Sequence, residues 1–525
     1  MTRSTNWTVA ATCAAHATDR ADRPAIVCED RVVTYRELHL ASNRLAHALR
    51  AAGIGRRARV GYLGRESEHY YTAILACAKL GAVLVPVNWR LTAGEVDHIL
   101  RDSDAEVLFA EGEFWSVVDR VSAELPLLRA VVRLDDGADR GAALWAWADG
   151  CPDTDLADEC DQDDPVVQIY TSGTTGLPKG VVLANRSFFT LPAAMADAGV
   201  SWIDWLPDDV NLISLPGLGI AGIGWFMHGF NAGATNVIMR MFEPQLAVRL
   251  VRTLGVTTTF AAPAMLQMML AERGVTRATF ASLRKIAYGA APISESLLRQ
   301  CLDVFDCEFA QIYASTEAGS VAVCLPPAAH RPGSPLLRAA GKACPGNEVK
   351  VIDAEGRTLP PGEIGQVCVR TPARMVEYWR QPAATARTVV GDWLYMGDAG
   401  YLDDDGYLFL CDRINDTIIV AGQNIYPAEV ERQLGDHPAL ADVAVVGVPD
   451  SPWGDTVHAC VVPRPGNSVT PRQLALFLRG RIADYKIPTA YHLVPSLPRN
   501  PSGKVLRREV RAQLIASTAA ATAET

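Results

Sequence analysis

Apolar and polar positions between residues 24 and 100 follow two alternating rhythms: short apolar runs, and longer stretches whose apolar residues recur every three or four positions. Residues 24–33 read as a hairpin turning at Glu29 and Asp30. A helix opens behind it, with Thr34 as N-cap and Glu37 completing a capping box. Residues 58–63 read as a short strand, 66–80 as an amphipathic helix and 81–87 as a buried strand. Such alternation predicts an α/β fold with mainly parallel strands. Apolar runs at 166–169 and 181–183 add strands, while 135–164 read as an acidic, irregular surface connection. Beyond residue 417 the rhythm becomes a small α+β pattern. Its strands fall at 418–420, 443–448 and 459–462, and its helices start at Tyr426 and span 471–483 behind Thr470 as N-cap. Residues 516–525, rich in Ala and Thr, read as a disordered tail.

At 525 residues the chain exceeds a single core. Its 49% hydrophobic and 21% charged content is that of a globular enzyme. A net charge of −10 excludes a nucleic-acid backbone as the main partner, though not a local basic cradle. The twelve cysteines include no Cys-x-x-Cys and no zinc spacing, so reduced thiols in a cytoplasmic protein are expected. No sustained apolar segment opens the chain as a signal peptide would. Residues 210–239 carry no charge, a length sufficient to span a bilayer. Pro216, six glycines, His228 and three asparagines in that stretch favour instead a buried region lining an apolar cavity.

Directly behind the 166–169 strand, residues 170–180 read Y-T-S-G-T-T-G-L-P-K-G. Glycines turn backbone N–H groups inward as an anion nest, hydroxyls add donors, and lysine adds a point charge. Thr171, Ser172, Gly173, Thr174, Thr175, Gly176 and Lys179 are therefore candidate polyphosphate ligands. Pro178 before Lys179 and Gly180 after it exclude the Walker A pattern. A bare Gly/Ser/Thr linker is the competing reading, disfavoured by the strand in front and the Pro-Lys-Gly behind.

Four further segments follow in order. Residues 286–292 (I-A-Y-G-A-A-P) form a strand ending in a small-residue turn, and 311–319 read Q-I-Y-A-S-T-E-A-G. Residues 392–400 read D-W-L-Y-M-G-D-A-G, and 497–506 carry Pro-x-x-x-x-Gly-Lys. Together with the 170–180 loop they cover nearly the whole chain, and they resemble the adenylate-forming superfamily, in particular its acyl-CoA synthetase branch. The resemblance implies a large N-terminal domain of layered sheets and helices (1–412), a hinge at 413–416 and a small mobile α+β C-terminal lid (417–525). Asn415 stands at the pivot, where relatives usually carry Lys or Asp.

Residue roles are implied by the same resemblance. Gly289, Ala290 and Ala291 would lie against adenine, with Tyr313 stacked on it, and Asp398 would grip the ribose diol with Arg413 beside it. Thr316 would contact phosphate or the acid, Glu317 would ligate Mg²⁺ together with Thr174, and Lys504 would be the catalytic lysine. Trp225, Gly219, Tyr288 and Gly289 would line the acyl pocket, and Gly422 would line the pantetheine path. The chain departs from the family pattern at Asn185, Leu218, Gly219, Ala314 and Ala421. Leu218 and Gly219 replace an aromatic–histidine pair, which implies a wider or differently closed acyl entrance.

The implied function is ATP-dependent conversion of a carboxylic acid to acyl-AMP and then to a CoA thioester, with ATP, Mg²⁺ and CoA as cofactors. Segments 202–227, 287–291 and 315–324 offer no cation for a second carboxylate, which favours a neutral hydrophobic acid, fatty or aromatic. An insertion before the hinge, which marks acyl-AMP ligases serving carrier proteins, is not evident, so CoA is the expected acceptor. An acyl carrier protein as acceptor, an inactive ATP-binding scaffold and a homodimer stay open.

Overall fold

The computed structural model describes residues 8–136, 139–140, 142–156, 160–171, 178–291, 293–420, 423–450, 454–499 and 505–523. Two large sheets dominate the first 345 residues. The seven-stranded sheet runs Glu377–Tyr378, Lys179–Ala184, Pro165–Thr171, Val83–Val87, Arg59–Leu63, Ala105–Ala110, Ala130–Arg133. The nine-stranded sheet runs Lys342–Ala343, Val323–Leu325, Glu308–Tyr313, Lys285–Gly289, Thr258–Ala261, Val210–Ile213, Thr235–Ile238, Pro24–Cys28, Arg31–Thr34. From Glu308–Tyr313 to Pro24–Cys28 its neighbours are parallel, as the strand–helix alternation requires. The 24–33 hairpin forms, and Thr34 and Glu37 make both bonds of the capping box.

The helix expected as amphipathic, Glu68–Leu80, is instead buried at all thirteen positions. It packs on strands of both sheets and on the Tyr35–Ala51 helix, so no side of it faces water. Several of its polar residues meet partners from other elements rather than solvent. Arg31 pairs with Glu68 at 2.6 Å, and Lys79 Nζ donates to Asn43 Oδ1 at 2.6 Å.

The uncharged 210–239 stretch folds as strand, helix Ile220–Ala232, strand. A Cβ on Gly222 would stand 2.2 Å from the Pro216 carbonyl oxygen, so only glycine permits this return of the chain. Among the described residues no helix is long and apolar enough to cross a membrane. A third sheet holds Trp393–Leu402 antiparallel to Leu408–Arg413, followed by the 3₁₀ turn Ile414–Asp416.

The residues after the 414–416 turn build a five-stranded sheet whose two long strands are Leu440–Asp450, at an edge, and Gly454–Pro463 beside it. Helices Pro427–Gly435 and Pro471–Leu478 cover one face through Val430, Leu434, Leu474 and Leu478. The second helix ends five residues before the expected 483, because Gly480 turns the chain at φ 74°. The opposite face is covered by Arg507–Ala523, through Val510 and Leu514. This corrects the expected disorder for residues 516–523, 524–525 lying outside the described residues: the packed first turns nucleate the helix, and alanine, the strongest helix former, carries it on to Ala523.

Candidate active site

The described candidates Gly289–Ala291, Tyr313, Thr316, Glu317, Asp398 and Arg413 gather at the C-terminal edge of the nine-stranded sheet, where α/β folds leave ligand space. Strand Lys285–Gly289 delivers the small-residue turn, and its neighbour Glu308–Tyr313 delivers Tyr313, Thr316 and Glu317. Gly289 is sterically fixed, since a Cβ there would lie 2.3 Å from the Ile312 carbonyl oxygen. Ala290 follows at φ 65°, left-handed backbone that a non-glycine residue adopts only when its surroundings hold it. Ala291 is half-buried beside it.

Tyr313 donates its hydroxyl to Asp398 Oδ2 at 2.5 Å, while Arg413 Nε meets Asp398 Oδ1 at 2.8 Å. Asp398 and Arg413 are direct cross-strand partners, so the sheet itself sets this pair. The carboxylate is 8% exposed, and burial together with its charge pushes the Tyr313 phenol well above its ordinary pKa. A carboxylate pre-aligned by a phenol and a guanidinium is a rigid acceptor for a diol.

Glu317 Oε1 accepts from the Tyr378 hydroxyl at 2.7 Å, and the Tyr378 ring lies 5.3 Å from Lys179 Nζ. Tyr378 therefore links the candidate metal ligand to the candidate phosphate lysine. Sequence reasoning missed it, because its placement comes from the pairing of Glu377–Tyr378 with Lys179–Ala184. Nothing local in the sequence announces that pairing. Thr171 and Lys179 are paired across the neck of the glycine-rich loop, which fixes the ends of the cradle. Ser172, Gly173, Thr174, Thr175, Gly176, Gly422 and Lys504 lie outside the described residues, as does the Asn415 side chain. The Asn415 backbone sits in the Ile414–Asp416 turn.

Among the described residues no three His, Cys, Asp or Glu side chains cluster as a metal cage. Glu317, a half-buried carboxylate with Thr316 next to it in the chain, supplies hard oxygen donors that fit a Mg²⁺ ion taking its other ligands from phosphate and water.

The acid side differs from expectation. Gly219 is the N-cap of the Ile220–Ala232 helix, and nothing lies within 4 Å of where its Cβ would be. Trp225, four percent exposed, packs against Trp205, His228 and Phe260. Tyr288 does not reach this space. Successive strand residues point to opposite faces, and its hydroxyl is tied to Gln311 and to His330 Nε2 at 3.0 Å. A cavity of ≈ 220 Å³ opens elsewhere, lined by Ser214, Pro216, Leu218, Met239, Ala262 and Met265, and by none of the four expected pocket residues. Glu66, Arg90 and Arg240 supply its charged groups. Glu66, missed in the sequence, holds the 215–219 segment: it accepts from the Gly217 N–H and, at 2.9 Å, from the Tyr71 hydroxyl. Burial pushes its carboxyl up to about 7.

Asp412 accepts from the Ala428 N–H at 2.6 Å and pairs with Arg507 at 3.0 Å. Burial pushes the Asp412 carboxyl up to about 6 despite the guanidinium. Arg507 also reaches Asp416 and Glu431, so one side chain ties the turn at 414–416 to the C-terminal helices.

Two family models match the chain: AMP-binding enzyme over residues 13–379, and AMP-binding enzyme C-terminal domain over residues 429–504. A fatty acid–[acyl-carrier-protein] ligase, ScoC, of Streptomyces coeruleorubidus is 54% identical over 505 residues, covering 96% of each chain. An indoleacetate–CoA ligase of Aromatoleum aromaticum is 35% identical, covering 95% of this chain and 97% of its own. The crystal structure of ATP-bound MatB from Rhodopseudomonas palustris superposes with a TM-score of 0.88 at 26% identity, covering 97% of this chain and 99% of that one.

Proposed function

The chain belongs to the AMP-binding enzyme family, within the adenylate-forming superfamily, and from that membership we propose that it activates a hydrophobic monocarboxylic acid with ATP and passes the acyl group to a thiol. The observation that carries this reading is the meeting, on one sheet edge, of Tyr313, Asp398 and Arg413 with Glu317, Tyr378 and Lys179.

A carboxylate is a poor acyl donor because its leaving group would be oxide or hydroxide; AMP leaves far more readily. In the first step a carboxylate oxygen bonds to the α-phosphorus of ATP while the bond to the bridging β-phosphate oxygen breaks, releasing pyrophosphate. Two anions must approach, so the site must offset charge. Lys179 and the 171–176 donors hold the β- and γ-phosphates, Asp398 accepts from both ribose hydroxyls, and the purine lies between Tyr313 and the 289–291 turn. Glu317 and Thr174 would hold Mg²⁺, which supplies further neutralisation of the phosphate oxygens when bound. Lys504 stabilises the charge shared by the attacking carboxylate and the α-phosphate. In the second step a thiolate attacks the acyl carbon and AMP leaves. Rotation about 413–416, between units 1–412 and 417–525, would exchange Lys504 for Gly422 at the reaction centre.

The acceptor we favour is the phosphopantetheine thiol of an acyl carrier protein, supported by the 54% identity to a ligase of that name. CoA is the second reading, supported by the 35% identity to a CoA ligase over the same span. The twelve free cysteines fit the reducing cytoplasm. Pyrophosphate release across a panel of carboxylic acids, run alone, with CoA and with holo carrier protein, tests the reading. Release with every acyl-thioester confined to the carrier protein supports it. A CoA thioester formed at a higher rate transfers the assignment to CoA, and no release with any acid overturns activation itself.

A further inference from the structure

We propose that Glu66 is the base that takes the proton from the acceptor thiol as its sulfur attacks the acyl-adenylate. The proposal rests on the acid-activation reading above and assigns a residue to its second step. The ≈ 220 Å³ cavity is placed to admit that thiol. Its lining comes from the C-terminal ends of three neighbouring parallel strands: Ser214 follows Val210–Ile213, Met239 follows Thr235–Ile238, and Ala262 follows Thr258–Ala261. The last of these pairs with Lys285–Gly289, Ala261 standing opposite Tyr288. The cavity therefore starts one strand away from the 289–291 turn proposed for adenine. Its mouth is open, since Met241 and Met268 in its lining are 40% and 49% exposed. A thiol entering there arrives at the sheet edge that holds the adenylate. Among the described residues Glu66 is the one carboxylate in the lining, and no histidine lines it.

The surroundings of Glu66 suit proton transfer better than an ion pair or a mere prop. One carboxylate oxygen accepts from the Gly217 N–H and the other from the Tyr71 hydroxyl at 2.9 Å, which leaves each oxygen a further lone pair. Among the described residues no cation pairs with it. Arg240 donates to the Glu66 backbone carbonyl at 3.4 Å but pairs with Glu111 at 2.7 Å, and the Arg90 guanidinium lies over the Trp89 ring at 4.3 Å. Tyr70 donates to the Gly217 carbonyl, and burial raises both the Tyr70 and the Tyr71 phenol well above their ordinary range, so neither can be the base. Holding the 215–219 segment needs only a neutral acceptor, whereas burying a carboxylate without a cation is costly. Burial brings the Glu66 carboxyl to about 7, where a general base is ionised near neutral pH and still takes a proton readily. In the step, the S–H bond breaks as its proton passes to Glu66, and the sulfur lone pair forms the carbon–sulfur bond. The bond from the acyl carbon to the phosphate oxygen breaks, AMP leaves, and the proton passes to water through the open mouth.

The test forms acyl-AMP on the full-length protein from ATP and an acid, adds a thiol, and follows thioester formation above the enzyme-free rate. Two thiols are compared: N-acetylcysteamine, the end of the phosphopantetheine arm, which keeps its proton at neutral pH, and thiophenol, which is largely ionised there. Glu66→Gln should accumulate acyl-AMP and transfer to N-acetylcysteamine about 10²-fold or more slowly, whereas thiophenol, needing no base, should restore most of the rate. The wild-type rate with N-acetylcysteamine should rise with pH through about 7, a limb the variant lacks. Transfer to N-acetylcysteamine as fast in Glu66→Gln as in wild type overturns the proposal. An equal loss with both thiols also overturns it and leaves Glu66 only the holding of the 215–219 segment. Wild type decides the matter if the variant does not fold: no acceleration with N-acetylcysteamine, or no limb near 7, overturns the base. Failure of the activation reading looks different, since no acid then yields acyl-AMP or releases pyrophosphate.

Discussion

The two sides of the nine-stranded sheet's C-terminal edge are built by opposite means. On the nucleotide side, polar groups are held in advance by one another: Tyr313 and Arg413 on Asp398, Tyr378 on Glu317. On the other side, around the helix 220–232, apolar packing dominates: Trp225 lies against Trp205 and Phe260, and Lys285 and Arg284 anchor the Trp205 segment from behind. A nucleotide presents the same diol, ring and phosphates in every reaction, so its site can be rigid and hydrogen-bonded. The acid varies, and its site is written in volume.

Breaking the nucleotide side should have the largest effect. Asp398→Ala removes the carboxylate that two partners orient, and Lys504→Ala removes the proposed catalytic charge. Each is expected to lower kcat/KM for acid-dependent pyrophosphate release by about 10²–10³. Ranking next, Tyr378→Phe removes one hydrogen bond to the Glu317 carboxylate. Bonds to charged groups contribute about 1.5–3 kcal/mol, so a loss of about tenfold or more is expected, with a raised Mg²⁺ requirement in a metal titration.

How much of this contrast is legible in the sequence follows from the same physics. Tyr313, Glu317 and Asp398 stand in short local motifs, and the phosphate and ribose roles proposed above would account for those side chains at strand ends. The capping box at Thr34 and the N-cap at Thr470 were readable for a like reason, each bond being local. Tyr378 was not, since it reaches Glu317 through a strand pairing made across nearly two hundred residues. The Glu68–Leu80 helix misled because a polar residue in a periodic pattern reads as exposed, whereas Glu68 and Lys79 are buried beside partners from other elements. Tyr288 misled through direction: the residue is in the right strand, but its ring points to the opposite face. Trp225 was legible as an aromatic in an uncharged stretch; its packing against Trp205 and Phe260, and the cavity opening elsewhere, were not.

A smaller effect sharpens the comparison at the border between the two sides. Burial raises the Glu66 carboxyl from 4.5 to about 7, against the hydrogen bonds from Gly217 and Tyr71. Between those values the folded protein keeps a proton that the unfolded chain releases. This group's contribution to stability is therefore full below 4.5 and lost as pH rises through 7. Glu66→Gln, which stays neutral and still accepts from Gly217, should flatten the slope of thermal stability against pH in that window.

The central claim is that the acid's own oxygen attacks the α-phosphorus at this sheet edge. It is tested most directly by supplying a carboxylic acid labelled with heavy oxygen in both carboxylate positions, with ATP and the acceptor thiol, and weighing the nucleotide product. The account predicts AMP carrying one heavy oxygen from the acid, together with unlabelled pyrophosphate. Unlabelled AMP, or ADP with the label in inorganic phosphate, would contradict it.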